Sequence, residues 1–386
     1  MNRGYGAVTR CVGVSAGALL LVFLPSLQRF VVALLVLMKL TAAPLPAAVE
    51  RAFLHGITEG SVTVHTSSAE VRARRYSPQG AAAQSAPKLL LLHGVHALGI
   101  DEPRLMALAR AFAAAGMDVL TPELTDLTHY RVVPDAASDI EQLAHAWATQ
   151  THVRALGVIG ISFAGGLALM AAAAQGGTTP IGFVVCVGAH HDLTRVIEYY
   201  AGREVRGPAG ERTAVTAHPY GPRVMLRGEL PNLFSAPDLA LAQEALDTYL
   251  HDMPQAAREL AKGLSPAGRE LARVLLDGRS SEQLSRWLMD SAREQRPQLL
   301  AASPRDHLQR LQVPVLLLHG TDDPVVPSIE TRYLARDIPE HLRRDVLITD
   351  LLRHAELNEL PAPTQVYRFA RFIQRLLAVA RVTAVH

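Results

Sequence analysis

Hydrophobic and polar positions change their pattern several times along the chain. Around Val62 and Val64, and again around Val71 and Ala73, apolar residues alternate with polar ones, which predicts half-buried antiparallel strands. Short unbroken apolar runs then alternate with longer stretches of helical periodicity, which predicts buried parallel strands joined by helices. The parallel strands are predicted at 89–92, 117–120, 153–161, 181–187, 313–318 and 346–351. We therefore expect α/β structure, with a mostly parallel twisted sheet flanked by helices.

The alternation of strands and helices stops between residues 190 and 312. This stretch has no convincing apolar strand and contains amphipathic segments interrupted by proline. We expect a helical cap over the carboxyl edge of the sheet, where open α/β sheets bind their ligands. The alternative is a helical decoration far from the site. The expected division is a membrane segment with the start of a linker (1–42), the first part of the core (43–189), the cap (190–312) and the second part of the core (313–386).

Residues 11–40 are almost wholly apolar, and Arg3 and Arg10 precede them without any acidic residue. A segment of this length is long enough to cross a bilayer, so we expect a retained membrane anchor with the catalytic domain outside the cytoplasm. A cleaved signal peptide, with secretion, and an interfacial hairpin are alternatives. A buried helix of the domain is disfavoured, because a segment apolar on all sides needs a core around it.

Composition excludes several classes of protein. Half of the 386 residues are hydrophobic, so a packed core is expected, and the net charge of +2 gives no reason to expect a nucleic-acid partner. The two cysteines, Cys11 and Cys186, cannot form a disulfide framework or a cysteine zinc site. The sequence His190-His191-Asp192 follows a strand, but no third ligand has a regular spacing, so no metal site is expected.

Ser162 lies between a β-branched apolar run and a run of small residues, which places it on a sharp turn from a strand to a helix. Such a turn needs small residues two positions away on each side, and Gly160 and Ala164 meet that need. The turn exposes the serine hydroxyl and directs the backbone N–H of Phe163 at a position where an oxyanion could form. The second N–H of that oxyanion hole is expected from Val95, which comes just after His93-Gly94 at the end of the predicted strand 89–92. His96 is the alternative.

Catalysis by a serine nucleophile also needs a base and an anion that orients the base. Ser162, Asp323 and His354 each follow a predicted strand, so we expect all three at the same edge of the sheet. Asp322 and Asp192 are the alternatives to Asp323, although Asp192 is also well placed to cap the following helix.

These motifs resemble those of the α/β-hydrolase superfamily. The segment around Ser162 is similar to its nucleophile elbow, G-x-S-x-G, with Ala164 in place of the second glycine. Residues 320–326 match the family pattern Gly-x-x-Asp-x-x-Val with Asp323 as the acid. His354 occupies the loop in which the family places its histidine, and Arg353 replaces the usual glycine before it. The resemblance covers roughly residues 62–377 outside the cap, and it implies the triad Ser162, Asp323 and His354.

The function expected from this resemblance is hydrolysis of a carboxylic ester or thioester through an acyl-enzyme, without a cofactor. The expected partners are a small-molecule acyl substrate and a membrane. The apolar N-terminal segment suggests that this substrate is lipidic. Acyl-transfer or peptidase chemistry on the same triad, and a catalytically silent tethered binding protein, are the alternatives.

Overall fold

The computed structural model describes residues 24–41, 43–80, 82–174, 179–213, 215–277, 281–353, 356–357 and 362–385, with the backbone alone at 353, 356–357 and 385. Its strands are β1 Ile57–His65, β2 Glu70–Pro78, β3 Lys88–Leu92, β4 Asp118–Pro122, β5 Leu156–Ile161, β6 Ile181–Val187, β7 Val315–Gly320, β8 Arg343–Thr349, β9 Leu352–Arg353 and β10 Glu356–Leu357.

The first seven helices belong to the N-terminal half. They are α1 at 24–40, α2 Ala47–Phe53, α3 Ala82–Ser85, α4 Pro103–Ala114, α5 Thr125–Thr128, α6 Asp135–Thr151 and α7 Phe163–Ala172. The insertion between β6 and β7 holds α8 Leu193–Tyr200, α9 Tyr220–Leu226, α10 Leu230–Leu233, α11 Ala236–Leu250, α12 Pro254–Ala261, α13 Pro266–Leu276, α14 Glu282–Glu294 and α15 Arg296–Ala301. The core closes with α16 Ile329–Asp337 and α17 Pro363–Val385.

Strands β1 to β8 form one sheet in the order β1-β2-β4-β3-β5-β6-β7-β8. Within it β2 pairs antiparallel with both β1 and β4, and the other neighbouring pairs from β4 to β8 are parallel. The central strands are buried on both faces because helices cover each side. The predicted fold class is confirmed, and the helical insertion precedes the strand that leads to Asp323. The boundaries expected for the cap, residues 190 and 312, stay predictions.

Each face of the sheet has its own core. On one face, side chains such as Leu90, Val158 and Leu317 pack with α6, α7 and the helices of the insertion. On the other face, side chains such as Leu91 and Ile159 pack with α1, α4 and α17. The two cores follow from the alternation of side chains along each strand.

The helix α1 corrects one expectation from the sequence. Its side chains Val32, Ala33, Leu35, Val36 and Leu37 are buried in the second core. Residues 24–40 therefore form a buried helix of the domain, which the sequence disfavoured. Within the described residues, no helix combines the length and the apolar composition that crossing a bilayer requires. The rest of the predicted membrane segment, residues 11–23, lies outside the described residues.

Candidate active site

Ser162 occupies a strained turn between β5 and α7. Its backbone has φ 55° and ψ −130°, a region that residues with a side chain rarely adopt. A Cβ atom at Gly160 would lie 2.5 Å from the carbonyl oxygen of Ala164, and one at Gly165 would lie 2.7 Å from the Cβ of Ala189. The sequence predicted a small residue at position 160, and the structure admits only glycine there, because the chain doubles back on itself.

The turn places Ser162 beside two backbone segments that bear on its chemistry. Phe163 is the first residue of α7, so its N–H has no acceptor within the helix and lies at the positive end of the helix dipole. The loop after β3 passes the serine closely, since a Cβ at Gly94 would lie 3.3 Å from the Cβ of Ser162. Val95 follows Gly94 in this loop and is itself buried. The structure thus places Phe163 and Val95 on the two segments next to the serine.

His93 holds this loop in place. Its Nε2 accepts a hydrogen bond from the Leu124 N–H at 2.9 Å, so its Nδ1 carries the proton and donates to the Gly94 carbonyl at 2.7 Å. Burial lowers the pKa of His93 and favours this neutral form. This role of His93 is not predictable from the sequence. The sequence shows an apolar strand that ends in a histidine, but the partner of that histidine lies in the loop after β4.

The insertion also contacts this loop. Tyr220, at the start of α9, donates from its hydroxyl to the carbonyl of Val95 at 2.8 Å. His96, the alternative oxyanion residue, accepts from the Leu98 N–H through Nδ1 at 3.1 Å. The helical insertion therefore lies directly over the loop that carries Val95.

Asp323 is buried in the loop between β7 and α16. Its Oδ1 accepts hydrogen bonds from the N–H groups of Val325 at 2.8 Å and Val326 at 3.0 Å, and its Oδ2 lies 3.5 Å from Nε2 of His319. His319 is itself fixed, because Nε2 donates to the Val326 carbonyl at 2.8 Å and Nδ1 accepts from the hydroxyl of Thr331 at 2.6 Å. These contacts orient the carboxylate rigidly.

The two alternative acids are placed differently. Asp322 is exposed to solvent. Asp192 caps α8 by accepting from the Thr194 N–H at 2.9 Å, and its second oxygen accepts from Nη1 of Arg305 at 2.6 Å. Both oxygens of Asp192 are thus engaged in structural contacts, and the geometry favours Asp323.

The histidine expected as the base, His354, lies outside the described residues. The chain before it is described as far as residue 353. The carbonyl of Leu352 lies so close to Gly320, at the end of β7, that a Cβ there would be 2.2 Å from it. The segment that leads to His354 therefore runs beside the strand that leads to Asp323. The triad as a whole stays a prediction.

His190 and His191 take part in packing between elements. Nε2 of His190 donates to the Ala302 carbonyl at 3.0 Å, and its ring fills the space above Gly166. His191 bonds Asp337 through Nε2 at 2.9 Å and accepts from Arg195 through Nδ1 at 3.0 Å. Among the residues that the structure describes, no group of three or more metal-binding side chains comes together.

A cavity of about 1380 Å³ opens at Ser162. The insertion contributes Tyr220, Tyr249 and Leu250 to its lining, and the loop after β3 contributes Val95. The cavity also extends beside the second core, where α1, α4 and α17 line it. Ser162 therefore faces a space large enough for a substrate.

Comparison with known proteins gives matches in structure only. No family model and no curated protein matches the sequence. The solved structures similar to this one include 2-hydroxy-6-oxo-6-phenylhexa-2,4-dienoate hydrolase from a Rhodococcus strain, with 14% identity over 76% of this chain and 92% of that chain at a TM-score of 0.43.

Two further similar structures are an esterase from another Rhodococcus strain and a proline iminopeptidase from Mycobacterium smegmatis. The esterase has 18% identity over 82% of this chain and 98% of that chain, at a TM-score of 0.40. The iminopeptidase has 19% identity over 84% of this chain and 100% of that chain, at a TM-score of 0.43. The fold follows from the strand order, from strand β2, which runs antiparallel to its two neighbours, and from the turn at Ser162.

Proposed function

We propose that this chain, which has the α/β-hydrolase fold, is a serine-dependent hydrolase of carboxylic esters or thioesters. The observation that carries the proposal is the strained turn at Ser162, which opens on a cavity beside the N–H of Phe163 and the loop of Val95. Strain of this kind persists where the surrounding structure enforces it, and it is common at catalytic sites.

The proposed reaction has two stages. The hydroxyl of Ser162 attacks the carbonyl carbon while His354 takes its proton, and the N–H groups of Phe163 and Val95 stabilise the negative charge on the carbonyl oxygen. The tetrahedral intermediate collapses, the bond to the alcohol or thiol breaks, and His354 returns the proton to that leaving group. Water then attacks the acyl-enzyme while His354 takes its proton. The bond from the acyl carbon to Oγ of Ser162 breaks, His354 returns the proton to that oxygen, and the acid is released.

Asp323 has the role of orienting His354 in this scheme. Its backbone hydrogen bonds and burial supply a fixed carboxylate, and the exposed Asp322 does not. The scheme needs no cofactor. The proposed partner is a small-molecule acyl compound. Membrane association is a separate proposal that depends on the undescribed part of the predicted membrane segment, residues 11–23.

Kinetics on a series of p-nitrophenyl esters test the proposal. We expect Ser162→Ala to lower kcat/KM by about 10⁴-fold or more, because the nucleophile is lost. The exposed Ser61→Ala in β1 serves as its control and should leave the activity unchanged. We expect Asp323→Asn to lower kcat by about 10⁴-fold, and Asp322→Asn to change it little. An equal effect of the two aspartate substitutions would contradict the assignment of the acid.

The same assay separates hydrolysis from its alternatives. With an added alcohol or amine acceptor, a hydrolase gives mainly the free acid, and an acyltransferase gives the new ester or amide. A folded wild-type protein that turns over no ester, thioester or peptide would favour the silent binding protein.

A further inference from the structure

The cavity at Ser162 is larger than a small acyl group needs. Its volume of about 1380 Å³ exceeds the range of about 300–1000 Å³ that is usual for small-molecule sites. The lining includes residues of both cores, so the cavity passes from the insertion, around the carboxyl edge of the sheet, to the opposite face.

The sheet supplies an apolar wall to that space. Ile159 and Ile161 lie two residues apart on β5 and therefore point to the same face, and Val185, Val187 and Leu318 extend the wall across β6 and β7. Ile161 is adjacent to Ser162 in sequence. The apolar wall thus begins at the nucleophile itself.

Helix α1 closes the space from the other side. Nε2 of Gln374 donates to the carbonyl of Ser26 at 2.6 Å, and the rings of Phe30 and Tyr367 lie 5.7 Å apart. Ser26 contacts Gln374, and Phe30, later in α1, contacts Tyr367, earlier in α17. The two helices therefore run antiparallel. The last turn of α1 therefore lies at the end of α17 nearest the sheet edge, where Leu37, Met38 and Leu40 line the cavity.

Most polar lining groups lie apart from the apolar wall. The loop after β3 and the start of α4 contribute His93, His96, Glu102 and Arg104 near the carboxyl edge of the sheet, the insertion adds His218 and Asp252, and Thr41 follows α1. The sheet face and α17 contribute apolar side chains, among them Phe369 and Phe372. A molecule with one polar end at Ser162 and a hydrocarbon chain matches this distribution.

We propose that the apolar part of the cavity holds a long hydrocarbon chain of the substrate, and that the last turn of α1 limits the length of that chain. This hydrocarbon chain belongs to either the acyl or the alcohol half of an ester. This inference rests on the proposed ester hydrolysis for its catalytic meaning. The segment expected from the sequence to anchor the protein in lipid would then serve as a wall of a lipid-binding site.

Two ester series on the protein of 386 residues test the inference. One varies the acyl chain of p-nitrophenyl esters from acetate to dodecanoate, and the other varies the alkyl chain of acetate esters. We expect kcat/KM to rise by up to about fourfold per methylene in one series, the equivalent of about 0.8 kcal/mol for each buried methylene. The series that rises identifies which half of the ester occupies the space. A flat profile in both series, with acetate esters cleaved, would overturn the inference and leave the proposed hydrolase standing.

Substitutions in α1 link the effect to its last turn. Met38→Trp should lower kcat/KM for the long ester at least about tenfold more than for the acetyl ester, because the indole fills part of the space. Leu34→Trp, one turn earlier on the same helix and not in the lining, is the matched control and should leave the profile unchanged. Circular dichroism and thermal unfolding confirm that both variants fold. Equal effects of Met38→Trp on long and short esters would overturn the role of α1.

Binding without catalysis keeps this test separate from that of the proposed function. Titration calorimetry of Ser162→Ala with sodium dodecanoate and with dodecanol should give binding of at least one of them, weakened by adding Met38→Trp. If no ester is cleaved by the wild type but this binding is observed, the hydrolase proposal fails and the inferred site stands. Absence of binding of both compounds to the folded variant would overturn the site.

Discussion

At the scale of single residues, the site depends on a strained backbone at Ser162 and on a position, Gly160, that admits only glycine. Ser162 adopts a positive φ although it has a side chain, and Gly160 lies where a Cβ would meet the backbone of Ala164 and Gly165 at 2.5 Å. Both features were predictable, since a serine between a β-branched run and small residues indicates such a turn. The role of His93 was not predictable, because it depends on a hydrogen bond to Leu124 that the folded loops create.

Gly160→Ala tests the turn directly. The added methyl group has no space, so we expect a loss of about 1–3 kcal/mol in the free energy of unfolding and a marked loss of esterase activity. Gly60→Ala in β1 is the control, because nothing lies within 4 Å of the added atom. Urea unfolding and ester kinetics measure both effects, and equal stability of the two variants would show that the turn tolerates a side chain.

At the scale of elements, the loop between β6 and α8 ties the core to the insertion. Glu330 on α16 accepts from the N–H groups of His191 and Asp192, both at 2.8 Å, and from Nε of Arg195 at 2.5 Å. The sequence places a histidine pair and a helix-capping aspartate here, and it predicts no metal site. It could not show the contacts, because Glu330 is more than a hundred residues away in the chain.

Burial in this region predicts a dependence of stability on pH. It lowers the pKa of His190 and of His191 from 6.5 to about 4. Between pH 4 and pH 6.5 the unfolded chain binds more protons than the folded one. The stabilisation from keeping the two buried histidines neutral is therefore complete above pH 6.5 and is lost as the pH falls towards 4. Each histidine contributes up to about 1.4 kcal/mol per pH unit.

Urea unfolding at several pH values between 4.5 and 7 measures this dependence. His190→Gln should reduce the slope of the unfolding free energy against pH, whatever its effect on stability at pH 7. Substitution of the exposed His145 on α6 by glutamine is the control and should leave the slope as in the wild type. Identical slopes for wild type and His190→Gln would show that His190 is not buried as a neutral ring.

At the scale of the whole molecule, the apolar segment near the N-terminus shows where the sequence is least informative. A helix that is apolar on all sides suits either lipid or a protein core, and local composition does not distinguish the two. The structure packs residues 24–40 against α17 and the second face of the sheet. By contrast, the strands and the position of the insertion were predictable, because their periodicity is local.

Two truncations test this packing. The variant lacking residues 1–23 keeps all of α1 as the structure describes it and serves as the reference. Removal of residues 1–42 also deletes α1 with its buried Val32, Leu35, Val36 and Leu37, so we expect a clear fall in the thermal unfolding midpoint and binding of an apolar dye. Equal midpoints for the two truncations would contradict the packing of α1 on the domain.

The central claim is that Ser162 is an activated nucleophile, and labelling with a fluorophosphonate followed by mass spectrometry of the peptides tests it most directly. We predict one labelled site in the folded protein, at Ser162, and loss of the label in Ser162→Ala. A folded wild-type protein that takes no label, or a label that persists in the variant, would contradict the account.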